Sequence, residues 1–444
     1  MKLQRKLNTN QNTDIADIYA FKLGSLWRAL KAEHLSLWML CFYFFFEYIR
    51  PQNLYPVLDV LPWGQICLLG AIVSAIMDRT VTWVKNIESK LLITFLLVVI
   101  LSSIFSFRLS AALDYWEVII GWVIMYFLVV SIVNTEKRLI IFLLAYCLFN
   151  FKMSQHGAVS WMERGFSFAS FGLIGSPGWF RNSGEFAIQM LIFGPLAISI
   201  VVSLKECWGR NKKWIFYLCA ATGYMSVIGA SSRGAQIGLA VVGIWFLLKQ
   251  KNGFKGLIVI SCVAFILFYF LPDEQLQRLQ EMGEDRDSLQ RLAYWEYGLL
   301  SVIPKFPVLG VGYHNWLPYL YYAVPEGLGP LQIVQESHNI YIQAASELGI
   351  TGLITFLLMI LFAFINNART RLYAKSFDNK LLFNLSYALD AGLIGYLVAG
   401  SFVTVLYYPF FWVQIAMIVM LNNITNEKYK ELSNKAERLP LRKR

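Results

Sequence analysis

Charge is scarce in this chain. Lys, Arg, Asp and Glu make up 15% of its 444 residues, against 57% hydrophobic and 16% aromatic side chains. A soluble globular protein of this size has no use for so much apolar surface. Cysteine is sparse too. The six residues (Cys41, Cys67, Cys147, Cys207, Cys219 and Cys262) show no CxxC and no paired metal-ligand spacing, so neither a disulfide framework nor a structural metal is expected. Histidine occurs four times. The first 34 residues are polar and basic with no cleavage site behind a short apolar core, which argues against a signal peptide. No repeat of hydropathy and no low-complexity tract is present, which speaks against the repeat architecture of a transporter.

What is abundant is long apolar runs. A spanning helix uses about 20 such residues. Twelve runs qualify, near 35–49, 61–77, 91–107, 116–133, 139–154, 184–204, 214–230, 235–248, 254–271, 340–365, 383–406 and 408–422. They predict an all-α polytopic membrane protein. With the N-terminus in the cytoplasm, 29 of the 39 Lys and Arg fall in inward segments, the positive-inside bias. That bias accounts for the net charge of +11 without nucleic acid. The expected organisation is a cytoplasmic basic leader (1–34), nine spans over 35–271 with a shorter outward loop near 155–183, a large outward loop (272–339), three spans over 340–422, and a basic cytoplasmic tail (423–444) that sits near membrane lipid.

The large loop carries nine acids against Arg278, Arg286, Arg291 and Lys305, so an anion there must be held by individually placed arginines. It opens with a helical stretch from Pro272 to about Ser301, broken at Pro304, and continues in a Gly/Pro/Tyr-rich stretch whose turns exclude one long helix. Arg233 stands in GASSRGAQIGL between two apolar runs. It reads either as an interfacial arginine reaching headgroups or, with Ser232 and a helix N-terminus beside it, as an anion ligand. Arg291 sits in DSLQRLAYWEYGLL, on a surface helix whose apolar stripe includes Trp295; it is a solvated residue or a second anion ligand. The triplet Asp285-Arg286-Asp287 looks like a metal-binding DxD, a pattern common by chance. His338 lies where the polar loop meets an apolar helix, with Asn339 behind it, as a cap or as a base poised near neutral pH. His156 and His314 open onto the two outward loops, and His34 lies in the leader. Glu185, Glu336 and Glu347 are candidates to orient His338 or an arginine. Asp390 has no evident partner in its run and suggests a proton path, whereas Glu47 and Arg50 read as a structural i,i+3 pair. The aromatic turn Trp316–Tyr322 is a candidate sugar platform.

These residues resemble the O-antigen ligase and O-antigen polymerase superfamily of bacterial envelope proteins. His338 and Asn339, followed by Gly349 and Gly352, fit the histidine motif in full. SSRGA at Ser231–Ala235 resembles the arginine motif, and RLAYW with PVLGVG resembles the Arg-x-x-x-Trp segment and its following turn. The likeness covers roughly residues 180–420. EYIRPQNLYPVL and SPGWFRNSGEFAIQ are similar to a branch of O-glycosylation ligases that includes exosortase-associated members. The resemblance implies a metal- and cofactor-independent GT-C-like glycosyltransferase of the bacterial inner membrane, working on the periplasmic side. Its donor would be a glycan on undecaprenyl diphosphate, and its acceptor a sugar hydroxyl, in ligases the lipid A core. Arg233 and Arg291 would hold the diphosphate and His338 would activate the acceptor, supported by Ser232, Asn339, Glu336, Trp295 and His314. A polymerase extending lipid-linked repeats, a protein O-glycosylating enzyme and, from another class, a transporter of lipid-linked sugar remain alternatives.

Overall fold

A computed structural model describes residues 15–167, 172–249 and 285–437. The expected run at 254–271, the opening of the large loop at 272–284 with Arg278, and Cys262 lie outside the described residues. The longer helices are α1 (Leu23–Lys31), α2 (Leu35–Tyr48), α3 (Trp63–Met77), α4 (Ile87–Ile104), α5 (Trp116–Ile132), α6 (Glu136–Glu163), α7 (Ser183–Leu204), α8 (Arg210–Gly229), α9 (Arg233–Lys249), α10 (Arg286–Tyr297), α11 (Trp316–Ala323), α12 (Ile340–Ser376), α13 (Lys380–Ala399) and α14 (Pro409–Glu437). Among the described residues there is no β-strand, and an isolated bridge joins Leu328 to Ile333. The protein is an all-α, multi-pass membrane protein. Twelve runs are expected; among the described residues six helices are long and apolar enough to span by length and composition, and Trp63–Met77 is a shorter apolar helix.

Side-chain caps set the helix starts. Asn86, Thr135 and Asn379 each accept a backbone N–H of the first turn, and Asn182 forms a reciprocal capping box with Glu185, satisfying donors that the helix itself leaves open. Helices α7 and α13 pack along their length at the centre, where α7 is buried almost throughout. The outer faces of α3, α8 and α12 carry exposed Leu69, Val73, Trp214, Leu218, Ile354 and Leu361, the surface that lipid covers.

The far end of the bundle is tied by ions. Arg138 pairs with Glu33 (2.7 Å) and Asp78 (3.2 Å), and Asp78 accepts from Ser36 (2.8 Å). His34 caps α2 and faces Asp78 at 3.5 Å. Asp390 does have a partner: Arg371 lies 2.6 Å away and Asn367 donates at 2.7 Å. It is half of an ion pair joining α12 to α13, not an isolated carboxyl on a proton path. His156 lies inside α6, not at the start of a loop, because that helix runs on to Glu163.

At the other end, residues 285–340 form a cap with its own apolar centre: Tyr294, Val302, Val311, Trp316, Tyr319, Leu320 and Ile342. Burying each large side chain contributes about 1.5–3 kcal/mol. Trp316 is 1% and Tyr319 4% exposed, so these rings are core and cannot stack on a sugar; Tyr321 and Tyr322 are the exposed pair. Helix α10 continues through a π turn (Gly298–Val302) and ends at Lys305.

Candidate functional site

The histidine motif is built around a break in α12. Gly349 takes φ +69° inside the helix, a left-handed conformation costly for any residue with a Cβ. The break frees the carbonyls of Ser346 and Glu347. The PVLGVG turn crosses there and supplies the missing donors: Val311 N–H to Ser346 O (2.8 Å) and Gly312 N–H to Glu347 O (3.0 Å), with Ser102 Oγ also donating to Glu347 O at 2.8 Å. Ile350 N–H returns to Pro307 O at 2.8 Å. A Cβ on Gly349 would lie 2.2 Å from Val308 O, and one on Gly310 2.3 Å from Glu347 C. The two glycine motifs are thus two sides of one backbone crossing, which fixes the cap on α12.

Upstream, residues 335–339 form a strap leading into α12. Trp316 Nε1 donates to Gln335 O (3.1 Å) and Trp295 Nε1 to Ser337 O (2.7 Å). The His338 N–H donates to Thr404 Oγ1 at 2.9 Å, and His338 itself is held at φ +49°. Asn339 caps α12 through Oδ1, accepting from Tyr341 N (2.9 Å) and Ile342 N (3.1 Å). Strain of this kind persists only where the surroundings impose it.

Arg291 and Trp295 are four residues apart on α10 and share one face. Trp295 holds the strap at Ser337, which brings Arg291, one turn earlier, into electrostatic range of His338. Arg233, the first residue of α9, is brought in by the neighbouring packing: Gly234 lies against Phe402, whose ring sits 6.2 Å from that of Trp295. Arg233 grips Asp285 through two hydrogen bonds, 2.7 and 3.0 Å. Asp285 is also the N-cap of α10, accepting from Ser288 N (3.1 Å) and Ser288 Oγ (2.7 Å). The Arg233 guanidinium, with these bonds from Ser288, holds the Asp285 carboxyl far below the usual carboxylate range.

Three residues from three elements, Arg233, Arg291 and His338, therefore share one electrostatic neighbourhood. Burial and then the charge of Arg233 act against protonation of Arg291, although a guanidinium keeps its proton in proteins. Arg291 makes no ion pair with the described residues. Burial first, then the Arg291 charge, pushes His338 down to about 4, with Asp287 acting weakly the other way. The imidazole is neutral at physiological pH and so able to accept a proton. Arg233 is held by Asp285, and Arg291 has no ion pair among the described residues, so the neighbourhood offers guanidinium forks of the geometry that binds phosphate oxygens.

The remaining sequence candidates fall into distinct places. Ser232 sits at the start of α9, its Oγ 3.6 Å from where a Cβ on Gly184 would lie. Glu336 makes no hydrogen bond to His338. Its charge is felt at Glu347, Tyr407 and Tyr408, and burial pushes its carboxyl up to about 7. Glu347 accepts from Trp316 N at 3.2 Å, and Glu185 closes the capping box of α7. Glu347 and Glu185 are thus engaged on other elements, whereas Glu336 makes no hydrogen bond to another described residue. His314 is stacked on Tyr115 at 4.0 Å and packed against Tyr313 and Tyr407; burial drives it down to about 3. It is an aromatic-core histidine. The sequence offers Asp285 only as part of a DxD triplet, not as the partner of Arg233. Its signal was the Asp-x-x-Ser spacing of a helix cap before the Arg291 helix.

Residues 217–357 match the family described as O-antigen ligase, a span that contains Arg233, Arg291, His338, Gly349 and Gly352. No curated protein matches the chain.

Proposed function

From the O-antigen ligase domain that puts the chain in that superfamily, we propose a membrane glycosyltransferase that moves a glycan from undecaprenyl diphosphate to a sugar hydroxyl at the periplasmic face of the inner membrane. Arg233 and Arg291 hold the diphosphate and His338 takes the acceptor proton. The acceptor oxygen forms the new bond to the donor's anomeric carbon as the bond from that carbon to the diphosphate oxygen breaks. The hydroxyl proton goes to the imidazole, and undecaprenyl diphosphate leaves with its electron pair. A diphosphate is a good leaving group without protonation, so the need is for fixed positive charge where negative charge grows. Two guanidinium groups meet that need without metal or cofactor.

The observation that carries this reading is the grouping of the two arginines with a neutral His338 from three separate elements. A neutral imidazole is the form a general base requires. Filling the arginine pair with a diphosphate would relieve the charge that depresses His338, raising its basicity when a donor is present.

Among acceptors, the lipid A core is the ligase choice, and the complete His338–Gly352 motif favours it over extension of another lipid-linked chain. The twelve-span arrangement, with both termini inside, belongs to the same proposal. The test is transfer in reconstituted vesicles with chelator present, offering undecaprenyl-diphosphate-linked glycan with and without lipid A core. Glycan on the core with the natural chain, and none with His338→Ala, is the expected result. Longer lipid-linked chains would make the enzyme a polymerase. No covalent product with any acceptor would overturn the reading in favour of a transporter.

A further inference from the structure

We propose that a cleft between α2, α3 and α5 is a second binding site, for the neutral, hydroxyl-rich headgroup of a membrane-anchored saccharide. The cleft has a volume of about 500 Å³, within the ~300–1,000 Å³ of small-molecule sites. Its polar groups are Glu47, Arg50, Gln65 and Glu117, and Trp122 and Trp179 form aromatic walls. Below them, Leu68, Leu69 and Ile120 continue onto the lipid-facing surface. A polar top over an apolar side opening suits a headgroup whose anchor stays in the bilayer.

The polar groups are built, not incidental. Glu47 Oε2 accepts from Trp179 Nε1 (2.9 Å) and Arg50 Nη2 (3.3 Å), and Gln65 Nε2 donates to Glu117 Oε2 at 3.3 Å. Arg50 lies over the Trp179 ring at 5.7 Å. It is held at φ +50° directly before Pro51, and its Nε is buried with no hydrogen-bond partner. A left-handed backbone and an unmet buried donor each cost about 1–3 kcal/mol. Gly178 permits this arrangement: a Cβ there would sit 2.2 Å from Arg50 Nη1. EYIRPQ and SPGW, two segments that the diphosphate site leaves unused, therefore meet in one place.

Charge decides the ligand class. Two carboxylates face one guanidinium, so the cleft disfavours a diphosphate, which belongs with Arg233 and Arg291. Sugar hydroxyls can donate to the free oxygens of Glu47 and Glu117, and the half-buried Trp179 indole offers a face for a pyranose ring, with the buried Trp122 as the wall behind. The cleft is connected through the 404–408 segment to the strap that carries the proposed base. Trp122 Nε1 donates to Tyr407 O (2.9 Å) and the Trp179 ring lies 5.0 Å from Tyr408, while Thr404, three residues earlier than Tyr407, holds His338. Three residues of extended chain span at most about 10 Å. On the transferase reading given above, on which this last step rests, the cleft is the acceptor's seat, and the donor enters from the arginine side.

Gly121 offers a clean test. It lines the cleft, and a Cβ there meets nothing within 4 Å, so a side chain can start there without strain: Gly121→Phe puts a ring into the cleft and Gly121→Ala only a methyl group. Full-length protein in nanodiscs would be offered monoglucosyl diacylglycerol, diacylglycerol with the same chains, and phosphatidylglycerol, and retained lipid counted by native mass spectrometry. The natural chain and Gly121→Ala should retain the glucosyl lipid at least tenfold over the other two. Gly121→Phe should lose that preference yet bind undecaprenyl diphosphate normally. Equal retention of all three lipids by the natural chain, or an unchanged preference in Gly121→Phe, overturns the proposal. Because retention needs no turnover, a chain that transfers nothing but shows the Gly121→Phe loss keeps the cleft and discards the transferase reading. If the natural chain does transfer, an acceptor KM that Gly121→Phe leaves unmoved discards the cleft alone.

Discussion

Trp295→Phe removes one hydrogen bond and leaves most of the ring packing against Phe402 in place. The Ser337 carbonyl it strands is in a residue 1% exposed, so its lost partner costs about 1–3 kcal/mol. The strap meanwhile stores strain at His338, where φ +49° costs about 1–2 kcal/mol for an L-residue. With the indole bond gone, that strain is opposed by the Thr404 contact, with Trp316 at Gln335 and the Asn339 cap holding the strap's two ends, and relaxed conformations between them become populated. Displacement of a reacting group by about 1 Å costs on the order of 100-fold in rate. The expected outcome is a kcat lower by about 10- to 100-fold, donor KM nearly unchanged because Arg233 and Arg291 stay in place, and a melting midpoint lower by only a few degrees. Steady-state transfer kinetics alongside a thermal melt in the same detergent separate the effects. A kcat within twofold of the natural chain, with the melt lowered, would refute the idea that Trp295 positions His338.

Arg291→Lys should lower kcat/KM for the donor by about 10- to 100-fold, since one ammonium cannot reproduce a bidentate fork worth about 1.5–3 kcal/mol; near-normal transfer would remove Arg291 from the site. The pH profile should betray the depressed His338: with the free imidazole at about 4, kcat/KM holds from neutrality down to about pH 5 and falls below it, where an ordinary imidazole would fail from about 6.5. The limb in kcat should lie at higher pH than that in kcat/KM, because bound diphosphate offsets the Arg291 charge; coincident limbs would contradict the coupling. Asp285→Asn keeps a competent helix cap but removes the anion gripping Arg233, so inorganic diphosphate should bind several-fold more tightly by calorimetry; weaker binding would mean that Asp285 serves to aim Arg233. Gly349→Ala should cost more than about 3 kcal/mol, from its positive φ and the 2.2 Å approach to Val308 O, and a natural melting midpoint in that variant would exclude the crossing as a fixed joint.

The sequence alone determined the solvent of this protein and the order of its parts. Long apolar runs must bury their backbone polar groups in helices, so helix identity is a local property: the run at 116–133 appears as Trp116–Ile132, and that at 184–204 as Ser183–Leu204. The sequence places a cap at the start of α12, read as His338, and the capping side chain is Asn339 one residue on; Gly349 and Gly352 are legible as motif positions, and of the two Gly349 takes a positive φ. Tertiary structure decided everything that needed two segments at once. Asp285 became the clamp on Arg233 across 52 residues of chain, and Arg371 answered Asp390 from the preceding helix. Trp316 and Tyr319 went into a core that their turn-rich surroundings did not announce. The strap that carries His338 is pinned by indoles at Gln335 and Ser337, from residues 19 and 42 positions away in the chain. Spacing along a chain reports on helices and turns, whereas the charge felt by an imidazole is set by whichever side chains the packing delivers to it.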